Sequence, residues 1–112
     1  MIEEPKTFAK WVVIWNLPPD ADVEAWEEWY WGHHVPLAIK MPGQLKYSVS
    51  KVEQVVYGSG YYRMAEQFFP DMDTLLASIN SPEGKAVADD AGEYVVDLQL
   101  LATVETEVAL DN

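Results

Sequence analysis

Residues 45–69 read LKYSVSKVEQVVYGSGYYRMAEQFF, two apolar, β-prone runs around a Gly58-Ser59-Gly60 turn. Leu45–Tyr57 alternates loosely through Tyr47, Val49, Val52, Val55 and Val56, and Tyr61–Phe69 follows the glycines, so the stretch predicts a β-hairpin. Working outward, Pro70-Asp71 supplies a helix cap, and Met72, Leu75, Leu76 and Ile79 give the i, i+3, i+4, i+7 stripe of an amphipathic helix. Ser81-Pro82-Glu83 sets a capping Ser before a Pro at a first helical position, which starts a short helix through about Ala91. Tyr94–Val108 then reads as a long strand. On the other side, a Met41-Pro42-Gly43 turn precedes the hairpin. Before it, Asp20 or Asp22 caps a helix whose Val23, Trp26, Tyr30 and Leu37 share one face, with Glu24 and Glu28 opposite. Pro36 clashes with the carbonyl of Gly32 in a regular helix, which predicts a break or kink between His34 and Leu37. Phe8–Asn16, FAKWVVIWN, is a strand stopped by Leu17-Pro18-Pro19.

A helix and a strand thus flank the hairpin on each side, and the order βαββαβ is the α+β arrangement of ferredoxin-like folds, one antiparallel sheet with helices on one face. Alternation leaves Val, Leu, Trp or Tyr on the other face of several strands. Such a surface calls for a cover, and a second copy of the chain is the simplest one.

The 112 residues have room for a single domain, 1–112, that buries about 60 to 70% of its unfolded surface. Seven Lys and Arg against nineteen Asp and Glu give a formal charge of −12, which repels a phosphate backbone, so nucleic acid is not expected as a partner. Hydrophobic residues make up 49% of the chain, with five Trp, six Tyr and three Phe, which separates this acidic sequence from disordered ones. The absence of Cys excludes disulfides, thiolate metal sites and cysteine nucleophiles, and points to a cytoplasmic location. Met1–Lys6 carries Glu3 and Glu4 instead of a basic signal-peptide start, and no run reaches the length of a membrane span. Phosphate-cradling glycine loops, a Gly-x-Ser-x-Gly elbow and a nicotinamide fingerprint are missing.

The only two histidines, His33 and His34, are adjacent on the first helix. They fall about 50° to either side of its buried face, so geometry alone does not choose between them. Imidazole both takes and gives a proton near neutrality, the property of a general base or acid; the plainer role is a hydrogen bond to a carbonyl freed at Pro36. Helical neighbours diverge by about 100°, which argues against a shared metal ion. Tyr30, one turn before His34, and Tyr47, on the next strand, are phenols suited to stabilising an enolate, or else core residues with satisfied hydroxyls. Arg63, the single arginine, is a candidate for holding a ligand carboxylate or phenolate, against an ion pair with Glu66 or Glu53. Trp11 and Trp15 share one face of the first strand, as core or as the wall of an aromatic-binding pocket. Asp89 and Asp90, like Glu24, Glu27 and Glu28, read as solvated acids.

The run Trp29-Tyr30-Trp31-Gly32-His33-His34-Val35-Pro36-Leu37-Ala38, then Met41-Pro42-Gly43 and Tyr47, resembles the EthD-like family of dimeric α/β-barrel proteins, as does Asn80-Ser81-Pro82-Glu83-Gly84-Lys85-Ala86. In that family a His-x-Pro-Leu step is followed by a Pro-Gly turn and a Tyr four residues after the Gly, which matches His34, Pro36, Leu37, Gly43 and Tyr47. Gln44 departs from the Leu that commonly follows Pro-Gly, a matter of local packing. The resemblance implies two subunits pairing their sheets into a barrel, each with a mostly apolar cavity between sheet and helices, and it favours His34 over His33. Relatives across the wider superfamily include polyketide cyclases, muconolactone isomerases, cofactor-independent monooxygenases, haem-binding enzymes and proteins with no assigned activity.

From these features we expect a cofactor-independent lyase, isomerase or cyclase acting on a small hydrophobic carbonyl-bearing ring, such as a lactone, polyketide or aromatic acid. His34 is then the base or acid, Tyr30 and Tyr47 hold the developing oxyanion, and His33, Trp11, Trp15 and Arg63 contact substrate, with no metal. The alternatives are a non-catalytic binder of apolar ligands or accessory protein, and, by superfamily analogy, a haem-binding or oxygen-using enzyme with a histidine as axial ligand.

Overall fold

The computed structural model describes residues 7–111; Met1–Lys6 lie outside the described residues. β1 (Thr7–Asn16) is followed by α1 (Val23–Trp29), a π-helical turn (Tyr30–His34) and α2 (Val35–Ile39). Then come β2 (Lys46–Lys51), β3 (Arg63–Phe69), α3 (Met72–Ile79), α4 (Pro82–Ala91), a 3₁₀ turn (Gly92–Tyr94) and β4 (Val96–Thr106). The sheet is antiparallel throughout in the order β2-β3-β1-β4, and the fold is the α+β, ferredoxin-like one expected from the element order. Among the described residues no helix is long and apolar enough to cross a membrane.

The register sets which residues meet the helices. Ala9, Trp11, Val13 and Trp15 of β1 lie opposite Phe69, Gln67, Ala65 and Arg63 of β3, and β3 alternates strictly between buried and half-buried. Tyr47 and Val49 join this face from β2, and Leu100, Ala102 and Val104 from β4. Two core clusters result: Trp15, Trp26, Tyr30 and Ala65 under α1, and Ala9, Phe69 and Leu75 under α3. The opposite face carries Phe8, Val12, Ile14, Met64, Phe68 and Leu101, together with Lys10, which bridges Glu66 at 2.8 Å and Glu105 at 3.0 Å. That face is apolar in part, but the strand Trp and Tyr residues expected on it all point to the helices instead.

The hairpin differs from expectation. Pairing stops at Lys51 opposite Arg63, and residues 52–62 form a long loop in place of extended strands and a tight turn. A strand persists only while its amides have a partner, and past Lys51 one further bond, Val52 N–H to the Tyr62 carbonyl at 2.9 Å, closes the ladder.

Helix starts follow the local signals. Asp22 accepts from the Ala25 amide, Asp71 from that of Thr74 and Ser81 from that of Gly84. Gly84 also lets α4 close on α3, since a Cβ there would stand 2.4 Å from the Ser78 carbonyl oxygen. That approach brings the far end of α4 against the first helix.

The first helix does not break at Pro36. The Val35 amide bonds the Tyr30 carbonyl, five residues back, so the chain takes one wide turn over Tyr30–His34 and resumes as α2 with Pro36 in its first turn. The wider turn relieves the ring clash that would otherwise end the helix.

Candidate active site

A cavity of about 270 Å³ lies between the sheet and the helices. Trp11 and Trp15 line it from β1, Tyr47 from β2, Ala65 and Gln67 from β3, and Leu98 and Leu100 from β4. Tyr30, His34 and Ala38 line it from the first helix, and Gly84, Val87, Ala88 and Ala91 from α4. Five of the seven sequence candidates, His34, Tyr30, Tyr47, Trp11 and Trp15, thus share one chamber. None of the lining residues carries a fixed charge.

His34 is half-buried, with 13% of its side chain exposed, and its ring stacks on Tyr30, centroids 5.6 Å apart, and tilts against Trp29 at 5.1 Å. Its Nδ1 lies 3.0 Å from Asp90 Oδ2 on α4. Burial holds the imidazole below its ordinary pKa, with Asp90 pulling in the opposite direction, so His34 is neutral at pH 7 and able to accept a proton. Burial also raises the phenols of Tyr30 and Tyr47, so both stay protonated donors. Both phenols line the cavity, and the Tyr30 hydroxyl is buried without a hydrogen-bond partner among the described residues.

His33 sits elsewhere. Its side chain is 64% exposed and does not line the cavity, yet its Nδ1 meets Asp90 Oδ1 at 2.8 Å. The two imidazoles therefore converge on one carboxylate, although regular helical spacing would separate them. The π turn that contains both lies against α4 and accounts for the convergence. Asp90, read from sequence as a solvated acid, is instead half-buried between them.

Arg63 also departs from expectation. It is buried outside the cavity, and its partner is Glu27 on α1, not Glu66 or Glu53. Its guanidinium lies 5.1 to 6.0 Å from the ring centroids of Trp26, Tyr30, Trp31 and Tyr62. Glu27 also accepts from the Tyr62 hydroxyl and from Trp31 Nε1, and burial's upward push on its carboxyl is outweighed by these bonds and the Arg63 charge. Arg63 Nη2 is engaged by Glu27, its Nε is buried without a hydrogen-bond partner among the described residues, and it does not reach this cavity.

Gln44, where the resemblance leads one to expect Leu, has a structural explanation. Its Nε2 lies 2.9 to 3.1 Å from the carbonyls of Ala38, Ile39 and Met41 at the end of α2, and its Oε1 accepts from Gln67 Nε2 at 3.1 Å. It caps the helix and fixes Gln67 in the cavity wall. Gln67 is a polar liner that sequence reasoning missed; its place in the alternation of β3 opposite Trp11 was the available signal.

The family model for the EthD domain matches residues 18–97. Among solved structures, an EthD family protein from Bacillus halodurans is 27% identical, with 90% of this chain and 99% of that one covered and a TM-score of 0.74. A hydroxynitrile lyase from Passiflora edulis is similar in fold at 12% identity, with 95% and 100% covered and a TM-score of 0.77. A dimeric ferredoxin-like protein of unknown function from Thermobifida fusca matches at 11% identity, 90% and 92% coverage and a TM-score of 0.69. No curated protein matches the sequence. Family model and fold agree over most of the chain, and this protein belongs to the EthD domain family.

Proposed function

We propose that the protein is a cofactor-independent enzyme of the lyase or isomerase type, acting by proton transfer on a small, uncharged, apolar carbonyl compound. The observation that carries this reading is a neutral imidazole, His34, on the wall of an otherwise apolar cavity that also holds the Tyr47 and Tyr30 phenols. A mostly apolar wall strengthens a phenol's hydrogen bond to an oxygen that gains charge as the proton leaves the substrate. His34 takes that proton and returns it to the product or leaving group.

Size and charge narrow the substrate. A volume of about 270 Å³ suits a small ligand. With Arg63 engaged by Glu27 and no cation on the wall, a carboxylate has no counter-charge, so aldehydes, ketones and lactones fit better than the aromatic acids in the sequence-level expectation. The fold similarity to a hydroxynitrile lyase is compatible with this chemistry.

The same reading includes a second copy of the chain. Leu100, Leu101 and Val104 on the edge strand β4 are exposed, and similar folds include proteins described as dimeric. Native mass spectrometry is expected to give a dimer.

Replacing His34 with Ala tests the central claim. In a screen of single-ring aldehydes, ketones, lactones and cyanohydrins, turnover of any compound accepted by the wild type is expected to fall about 10²- to 10⁴-fold, with binding retained. Unchanged turnover in His34→Ala would remove His34 from the proton transfer, and a wild type that binds such compounds without turning any of them over would leave a non-catalytic ligand-binding role for the cavity.

A further inference from the structure

Asp90 is a half-buried acid at an end of α4 that carries no basic residue. Its side chain is only 14% exposed, and it sits in the last turn of α4, where the carbonyl end of the helix is itself negative. The chain around it carries a net −12. Among the described residues its only hydrogen-bonding and ion-pair partners are the two histidines, one on each oxygen. Neither imidazole belongs to the hydrophobic core clusters, which are built from Trp15, Trp26, Tyr30, Ala65, Ala9, Phe69 and Leu75. The π turn that directs both rings at Asp90 is a geometry found often at functional sites.

We propose that Asp90 is a positioning residue that holds His34 in one tautomer, with the proton on Nδ1 and the lone pair on Nε2 for the proton transfer at the cavity. An ionised carboxylate only accepts hydrogen bonds, so the ring nitrogen facing it carries the hydrogen and the other nitrogen is the base. Asp90 does not line the cavity and acts only through His34. His33 meets the second oxygen from the solvent side. The stacked ring of Tyr30 and the ring of Trp29 fix the plane of the imidazole, and Asp90 fixes which way round it sits.

The functional meaning rests on the proposed role of His34, but the tautomer can be read without substrate. Nitrogen-15 NMR of the labelled protein above pH 7.5 distinguishes a protonated from an unprotonated ring nitrogen, and with two histidines in the sequence one His33→Gln spectrum assigns both. The expected wild-type result is His34 with a protonated Nδ1 and a bare Nε2. Asp90→Ala is expected to give a mixture of tautomers, and Asp89→Asn, on the exposed neighbouring residue, the wild-type spectrum. With a substrate in hand, Asp90→Ala should lower kcat about 10²-fold or more at little change in KM, and move the midpoint of the rising limb of the pH profile to lower pH. A proton on Nε2 of wild-type His34 overturns the proposal even if Asp90→Ala does not fold, and so does an Asp90→Ala protein whose tautomer is unchanged. A correct tautomer combined with full activity of His34→Ala would instead sink the proposed function and leave the positioning intact.

Discussion

Tyr30 separates two carboxylates that are satisfied in opposite ways. On one side Glu27 meets Arg63, Tyr62 and Trp31, and on the other Asp90 meets His33 and His34. In the first group the cation cannot give up its charge, its guanidinium is enclosed by four aromatic rings, and no member borders the cavity. In the second the partners are imidazoles that gain or lose a proton near neutrality, and one of them forms part of the cavity wall. A permanent pair ties α1 to β3, whereas a pair able to change its protonation sits where chemistry can use it. The two groups should therefore separate cleanly under mutation: one governs stability and the other turnover.

The largest effect is expected from Arg63→Met. Arg63 is 4% exposed, and its loss leaves Glu27 without its counter-charge and the four rings without their central cation, which should lower stability by about 3 kcal/mol. Urea denaturation measures the loss. In protein that remains folded, turnover per active site should stay within about threefold of wild type, because Arg63 is outside the cavity. A stable Arg63→Met protein that has lost activity would reverse the assignment of the two groups.

A smaller effect belongs to Tyr62→Phe, which removes the phenol's hydrogen bond to Glu27 and leaves the ring beside Arg63. A cost of about 1 kcal/mol is expected, again with turnover unchanged. A double cycle with Glu27→Gln should show the two changes to be non-additive, because Tyr62 and Arg63 share one carboxylate oxygen.

Much of this difference was not legible in the sequence, for reasons of distance along the chain. Signals that act within one turn were legible: the caps at Asp71 and Ser81, the alternation that puts Trp11 and Trp15 on one face, and the stripe of α3. The order of those elements was enough for the fold. Pro36 announced a disturbance of the helix, but whether a helix answers with a break or with a π turn depends on what packs against it, here α4. Asp90 is 56 residues from His34 and Glu27 is 36 from Arg63, and no periodicity links such pairs in a chain with nineteen acids. The loop at 52–62 misled for a related reason. Val52, Val55 and Val56 have strand propensity, but propensity does not supply the partner whose pairing ends at Arg63.

The smallest effect is the one that divides the two groups by pH. Burial places the folded His34 below its ordinary value of 6.5, whereas in the unfolded chain it titrates near that value. Between the two the unfolded state binds a proton that the folded state does not. This contribution to stability is thus fully present above about pH 6.5 and is lost as the pH falls through the folded value. Glu27 behaves alike in sign but lower on the scale. Its bonds to Tyr62 and Arg63 outweigh burial and hold it under its ordinary 4.5, so its contribution is present above that pH and disappears only in stronger acid. Urea midpoints followed from pH 7.5 down to pH 3 should therefore fall in two stages, each smaller than the loss in Arg63→Met. His34→Gln is expected to abolish the first stage and keep the second, and Glu27→Gln to do the reverse. If His34→Gln left the first decline below pH 6.5 untouched, the imidazole would not be holding its neutral form in the folded chain, and its readiness to act as a base at pH 7 would lose its physical footing.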